Sequence, residues 1–570
     1  MGAALQASAI PGLLGGLPGR QAARYLLELD LTQPLLEERP SDPPARFQSR
    51  RRLVLPTLVA ALHEAATDDK VVGLIAKVGA RQMGFGQTQE LRDAVKEFRT
   101  SGKPTIAWCE TFGESSPATL PYYLATAFDE IWVQPSAEVG LMGVSAGSLF
   151  LAEAFERIGV RPQFGARYEY KNAANMFTER GYTEAHREAM QWLVTALSAQ
   201  VVDAVAEARG IDPGTVRELV DRAPLPAAEA HEAKLVDHLG YRDQVYEAAL
   251  DKAGRGAQLL FVQRYHRQKP LPERAARLVN RHKPIVALVT GTGVIRLGKS
   301  ARGMSPGIGS DTVGAALRAA GKDDRVKAVV LRVNSPGGSY VASDAIWREV
   351  TRLREAGKPV VVSMGDVAAS GGYFVSIPAD LIVAQPGTLT GSIGVLGGKL
   401  SGGSLLGRLG IGHDHVQEGR HAHMSSGLDE YSEDELNLIS GFLDRVYQDF
   451  VSKVAASRSM SYEAVHEVAR GRVWTGADAR ERGLVDDLGG LEKAAALARK
   501  RAGLHVDAEL VKFPHVSAAA RLRPPRSSDD PRAAAAVAFD GWGTLSGIAM
   551  RLGLPSSGPL TMAPATASLW

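Results

Sequence analysis

Cysteine is nearly absent from this sequence: Cys109 is the single one in 570 residues. No intrachain disulfide, thiolate zinc cluster or CxxC redox pair is therefore available. Excess charge is also lacking. The formal net charge is +3, whereas a nucleic-acid partner calls for a strongly basic face. No uninterrupted apolar run reaches the roughly 20 residues of a spanning helix. The opening MGAALQASAIPGLLGGLPGR is broken by Pro11, Gly12, Gly15, Gly16 and Pro18 and has no basic start, so it reads poorly as a signal peptide. Position 6 is Gln where a myristoylation signal wants Ser or Thr. What remains is an ordinary globular composition, 45% hydrophobic and 23% charged, in a chain too long for one core.

The sequence repeats itself. DDKVVGLIAKV (68–78) returns as DDRVKAVVLRV (323–333), and GKP at 102–104 returns at 357–359. YYLATAFDEIWVQPSAEVGLMGV (122–144) matches YFVSIPADLIVAQPGTLTGSIGV (373–395) at 8 of 23 positions. AEAHEAKLVDHLG (228–240) matches ADARERGLVDDLG (477–489) at 8 of 13. Four blocks in one order indicate a duplicated unit. The chain reads as an N-terminal arm (1–50), a first α/β repeat (51–255), a linker (256–280), a second α/β repeat (281–505) and a tail (506–570). Within the tail, RLRPPRSSDDPR (521–532) has the composition of an exposed segment.

Each unit alternates apolar β-branched runs with helical periodicity. KAVVLRV (327–333), KPVVVSM (358–364) and DLIVAQ (380–385) suit buried parallel strands. Between the first two, residues 343–357 place Ile346, Val350 and Leu353 at helical spacing and end on Gly357. A longer helix is expected over 433–458, with Leu436, Ile439, Phe442, Val446, Phe450 and Val454 as its apolar stripe. Strand, helix, strand implies a crossover and a largely parallel sheet.

The copies differ where chemistry would sit. In the second, the strand ending at 333 runs into NSPGGS (334–339), whereas the first has GARQMG (79–84). The next strand of the second copy runs into GDVAASGGY (365–373); the first has ETFGESSPATLPYY (110–123), with Thr119 aligned to Ser370. Both special loops fall at carboxyl ends of strands, where open α/β sheets bind ligands. Gly337 and Gly338 let backbone amides approach a substrate, and Pro336 fixes the turn. Ser370 precedes Gly371 and Gly372 at a helix start, where free N–H groups and the dipole favour a developing oxyanion. Either loop alone reads as a turn or a cap; together, in adjacent strand–helix turns, they point to a nucleophilic serine.

Such a serine needs a base. No G-x-S-x-G elbow surrounds Ser370 and no histidine lies in either loop. A lysine is the other option, since desolvation lowers its pKa by up to about 3–5 units. Lys171, in GARYEYKNAANMF (165–177), follows a strand-like stretch among Tyr168, Tyr170 and Phe177, with Glu169 as its one acidic neighbour. The matching stretch of the second copy, GRHAHMSS (419–426), has no lysine. Spacing alone does not select Lys171.

These motifs, RVNSPGGS (332–339), GDVAASGGY (365–373), TGSIGV (390–395) and YKNAANMF (170–177), resemble the signal peptide peptidase A (protease IV) family in its long duplicated form, over about residues 51–505. The resemblance implies tandem Clp/crotonase-like ββα superhelix repeats. It also implies a serine endopeptidase with a Ser/Lys dyad, cleaving signal-peptide remnants or other extended hydrophobic peptides through an acyl-enzyme. Carried over by motif, Ser370 is the nucleophile and Lys171 the base, with Gly337, Gly338 and Gly371 as oxyanion amides. No cofactor and no metal are implied. Peptides are the expected partners, a homo-oligomer (a tetramer) the expected assembly, and the bacterial cytoplasmic membrane the expected location. The family's usual N-terminal anchor is not recognisable here, which leaves a cytoplasmic location and peripheral membrane contact both open.

Two other readings stand beside this one. A crotonase-like acyl-CoA enzyme would use the same loop amides without a nucleophilic serine. A silent scaffold or metal-binding protein would draw on His413, His415, His421 and His423, which otherwise read as a solvent-facing polar loop.

Overall fold

A computed structural model describes residues 24–33, 35–38, 52–79, 83–114, 116–254, 256–265, 283–300, 307–514, 560–562 and 568–569. Most of the arm expected at 1–50, residues 266–280 of the expected linker and the whole 521–532 stretch of the tail lie outside the described residues.

Two parallel sheets organise the chain. The first contains β1 (Arg24–Asp30), β2 (Val71–Lys77), β3 (Thr105–Cys109), β4 (Glu130–Val133), β6 (His238–Leu239) and β7 (Ala257–Phe261), in the order β6-β4-β3-β2-β1-β7. Strand β5 (Arg161–Arg167) lies outside it. The second sheet is built on β8 (Ile285–Thr292), β9 (Val326–Ser335) and β11 (Val360–Ala369), which pair in that order; β10 (Gly337–Ser339) belongs to a smaller sheet. Beyond β11 follow β12 (Leu381–Ala384) and β13 (Leu389–Gly391), both parallel to it. β9 and β11 are buried along most of their length because their valines, leucine and alanines face helices on both sides.

The sheets reach past the boundaries expected from sequence. β1 falls within the expected arm and β7 within the expected linker, yet both pair into the first sheet. Likewise Leu510–Lys512, inside the expected tail, pairs with β8. β7 and Leu510–Lys512 are short edge strands with no flanking periodicity, whereas β1 is a seven-residue inner strand whose Leu26, Leu27 and Leu29 are buried, so the first unit begins before residue 51.

Helices α1 (Phe85–Arg99), α2 (Thr119–Ala125) and α3 (Glu184–Arg209) serve the first half. α4 (Tyr340–Glu355), α5 (Gly371–Phe374) and α6 (Glu433–Arg458) serve the second. α4 starts three residues before the expected 343 because Ser339 caps it, its Oγ accepting from the Ala342 N–H at 3.3 Å. α6 spans the expected residues, opened by a capping box between Ser432 and Glu435. Its stripe is rotated: Val446, Phe450 and Val454 are buried with Leu443, Tyr447 and Val451, while Leu436 stays exposed. α3 is long and apolar enough to cross a membrane by length and composition. Its Leu197, Val201 and Val205 instead pack in the first core.

The halves are joined by buried polar contacts. The α1 start points at the second sheet, where the Gln87 N–H donates to Asp366 Oδ1 at 2.8 Å. A Cβ on Gly84 would fall 2.2 Å from the Asp366 carboxylate, so glycine alone lets the helix end approach. Burial pushes the Asp366 carboxyl up to about 6. Arg332 of β9 is buried between Glu90 of α1 at 2.8 Å and Glu37 at 3.1 Å. A second link is a strand exchange: β5 leaves the first half to pair antiparallel with β14 (Val395–Ser401), in the register Arg167↔Val395.

Candidate active site

That exchange delivers Lys171. Four residues beyond β5, its side chain turns inward and is 3% exposed. Its Nζ lies 3.0 Å from Ser370 Oγ, 2.9 Å from the Ser392 carbonyl oxygen and 3.0 Å from Ser392 Oγ. Among the described residues no carboxylate shifts the Lys171 amine. Glu169, its neighbour in sequence, pairs with Arg470 instead. Desolvation is thus unopposed, and burial lowers the Lys171 amine to about 7.

Ser370 is fully buried at the junction of β11 and α5. Its φ of 53° and ψ of −118° place a side-chain-bearing residue in a sparsely populated region, a strain of order 1–3 kcal/mol. Its N–H donates to the Gly391 carbonyl at 2.8 Å, which locks the bend. Strained strand-to-helix turns of this kind project a serine hydroxyl from a sheet.

The three glycines converge on the same place. A Cβ on Gly371 would lie 2.7 Å from Ser343 Oγ and 3.2 Å from both Gly337 Cα and Gly338 N. Gly337 and Gly338 have φ of 108° and 149°. A Cβ on Gly338 would fall 2.1 Å from the Ile295 carbonyl oxygen. The Gly337 N–H donates to Ser335 Oγ at 3.1 Å, so it is already engaged. The Gly371 amide opens α5, where backbone donors lack intrahelical acceptors.

The structure adds residues that sequence reasoning missed. Ser392, with φ of 51°, holds the lysine through two oxygens. It stands in the TGSIGV motif, but nothing in the motif marks its hydroxyl. Gly471 lets the lysine backbone approach: a Cβ there would lie 2.5 Å from Lys171 N. The first-copy counterpart of Ser370 is also shifted by one residue. The Ala118 N–H donates to the Gly140 carbonyl at 2.8 Å, as Ser370's does to Gly391. Thr119, the partner expected from sequence, turns its hydroxyl to the Gly143 carbonyl.

NSPGGS, expected as a loop, contains the short strand β10. Its edge is not bare: residues Leu560–Met562 of this chain lie antiparallel against it, in the register Gly338↔Thr561.

Two parallel-sheet units, with a strand of the first paired to a strand of the second and the serine at a strand's carboxyl end, define a tandem α/β protein. Comparison with known sequences identifies which one. The profile of peptidase family S49 matches residues 97–255 and 352–505, and the chain belongs to that family. It is a serine peptidase. The chloroplastic serine protease SPPA of Arabidopsis thaliana is 30% identical over 463 residues, covering 81% of this chain and 67% of that one. Protease 4 of Salmonella typhi is 32% identical over 465 residues, covering 79% and 73%. Protease 4 of Haemophilus influenzae is 31% identical over 470 residues, covering 80% and 74%.

Proposed function

We propose that the chain is an endopeptidase working through a Ser370/Lys171 dyad on extended, apolar peptide segments. The observation that carries this reading is the 3.0 Å contact between a buried amine and a buried hydroxyl. Proton bookkeeping supports the direction of transfer. A neutral amine has two donors and one lone pair. The Ser392 carbonyl only accepts, and Ser392 Oγ takes the second donor at 3.0 Å. The lone pair is left for the Ser370 proton.

Lys171 removes that proton as Ser370 Oγ attacks the peptide carbonyl. The tetrahedral oxyanion develops among the amides of Gly337, Gly338 and Gly371, with Gly337 exchanging its Ser335 partner for it. Protonated Lys171 then gives its proton to the leaving amine, and the acyl-enzyme is hydrolysed by water that the same amine activates. Neither half holds both partners, so each half alone is inactive.

An extended peptide is favoured over an acyl-CoA by the edge of β10. A strand of this chain already pairs there through its backbone, the mode by which sheet edges take up peptides. Signal-peptide remnants are the substrate class the resemblance carries. Assembly as a homo-oligomer and placement at the bacterial cytoplasmic membrane travel with that resemblance as well.

The test is hydrolysis of extended hydrophobic peptides and of acyl-CoA thioesters by the wild type, Ser370→Ala and Lys171→Ala. Peptide turnover is expected to fall by roughly 10⁴-fold or more in each variant, and no further in the double variant, because the two groups act as a unit. Retained peptidase activity in Ser370→Ala, or turnover of thioesters alone, overturns the assignment.

A further inference from the structure

The Lys-bearing segment has a counterpart in the second copy, and there the chain does something else. Between residues 403–408, a short helix, and α6 runs a stretch without regular secondary structure that carries HDHVQEGRHAH (413–423). By sequence its histidines have no carboxylate at fixed geometry, although Asp414 and Glu418 lie within the run. The fold supplies one from downstream. Asp429 Oδ2 lies 2.9 Å from His423 Nε2 and 3.6 Å from His415 Nδ1. One donor atom from each of these three residues falls within 4.8 Å of the other two. On the far side of the carboxylate, His413 Nε2 lies 3.0 Å from Asp429 Oδ1.

Two features separate this cluster from a solvated polar loop. His423 Nε2 and Asp429 Oδ2 are shielded from solvent yet make no hydrogen bond, although they face each other. Buried polar atoms of this kind call for a partner. The separations also suit a cation. Zinc held by imidazole nitrogen and carboxylate oxygen at about 2.0–2.2 Å, in tetrahedral geometry, keeps its ligand atoms roughly 3.3 Å apart. The observed 2.9 and 3.6 Å bracket that value. The His415 and His423 rings are stacked in parallel with centroids 3.8 Å apart, so both rings must rotate toward each other before their in-plane lone pairs converge on one ion.

We propose that His415, His423 and Asp429 bind one divalent transition-metal ion of the zinc class, with His413 holding the carboxylate from outside. An imidazole/carboxylate set without thiolate suits zinc, cobalt or nickel over copper(I). With three protein ligands, the fourth position is left to water. The site is tied to the exchanged strands. Lys399 of β14 donates to the Met424 carbonyl at 2.8 Å, and the Tyr431 N–H donates to Gln163 Oε1 of β5 at 2.7 Å. An ion here would brace the β5–β14 pair from the end away from Lys171.

The test is titration of the chelator-stripped full chain with zinc and, for its ligand-field spectrum, cobalt(II). We expect one equivalent bound, a visible cobalt band of four-coordinate type, and a zinc-induced rise in Tm. His423→Ala and Asp429→Asn should each weaken binding by more than about 10-fold, and His413→Ala by less, as for an outer partner. His505→Ala, at an exposed histidine elsewhere, should change nothing. Asp429→Asn keeps the side-chain shape, so its loss of binding cannot be put down to misfolding. Absence of zinc binding, or full binding retained in both His423→Ala and Asp429→Asn, overturns the proposal. Peptidase activity is not part of the readout.

Discussion

The two halves of this chain share their scaffold contacts almost atom for atom and share none of their chemistry. Arg209 grips Asp237 in the first half through paired nitrogens at 2.9 and 2.7 Å, and Arg458 grips Asp486 in the second at 2.9 and 2.6 Å. The Lys103 amine donates to the carbonyls of Ala65, Ala66 and Asp68; the Lys358 amine donates to those of Ala320, Gly321 and Asp323. Tyr122 and Tyr373 send their hydroxyls to the carbonyls of Leu235 and Leu484. At the end of the third matched strand the likeness stops, with Ala118 in one copy and Ser370 in the other. What folds each half was kept twice, and what reacts was divided. The serine, its strained turn and the glycine loop are in one half; the amine is in the other.

That division can be attacked from either side. The largest expected effect, beyond removal of the dyad itself, comes from Gly471→Ala. The added methyl overlaps the Lys171 backbone and sits at φ of 84°, so it displaces the amine. A loss near 100-fold in kcat/KM is expected, the usual result of misplacing a reacting group by about 1 Å. Wild-type activity in this variant would detach Lys171 from the reaction.

Next comes the scaffold. Arg209→Ala and Arg458→Ala should destabilise to a similar degree, about 2–4 kcal/mol each, because each leaves a half-buried aspartate without its partner. Denaturant melts of the two variants check this, and a large inequality would show that the halves are not mechanically equivalent.

The smallest effect is expected from Ala118→Ser in a Ser370→Ala background. The hydroxyl returns to the equivalent turn, but Lys171 stays held by Ser392 at the other turn, so neither peptide turnover nor fluorophosphonate labelling should recover. Recovery would mean that the turn alone activates a serine.

Much of this was legible in the residues. Valine-rich runs announced β9 and β11 because a strand buried on both faces has to be apolar throughout. Apolar spacing placed α6 at 433–458, the span it occupies. Ser370 and the paired glycines could be singled out because the other copy lacks them. The rest depends on distance in space. Lys171 and Ser370 are 199 residues apart, and only the β5–β14 exchange joins them, an event with no local signature. Ser392 and Gly471 act through backbone geometry, which a serine or a glycine in a sequence does not disclose. Asp429 lies six residues beyond the histidine run and meets it only because the intervening chain folds back.

The central claim is that an amine uncharged near neutrality activates Ser370. The most direct measurement is the rate of Ser370 phosphonylation by a fluorophosphonate as a function of pH. Lys171 is protonated below its pKa and a base above it, so the rate should rise with pH and reach half its plateau near 7. The slope should vanish in Lys171→Ala along with most of the rate. A rate that keeps climbing toward the ordinary lysine range of about 10, or one indifferent to Lys171→Ala, would contradict the account.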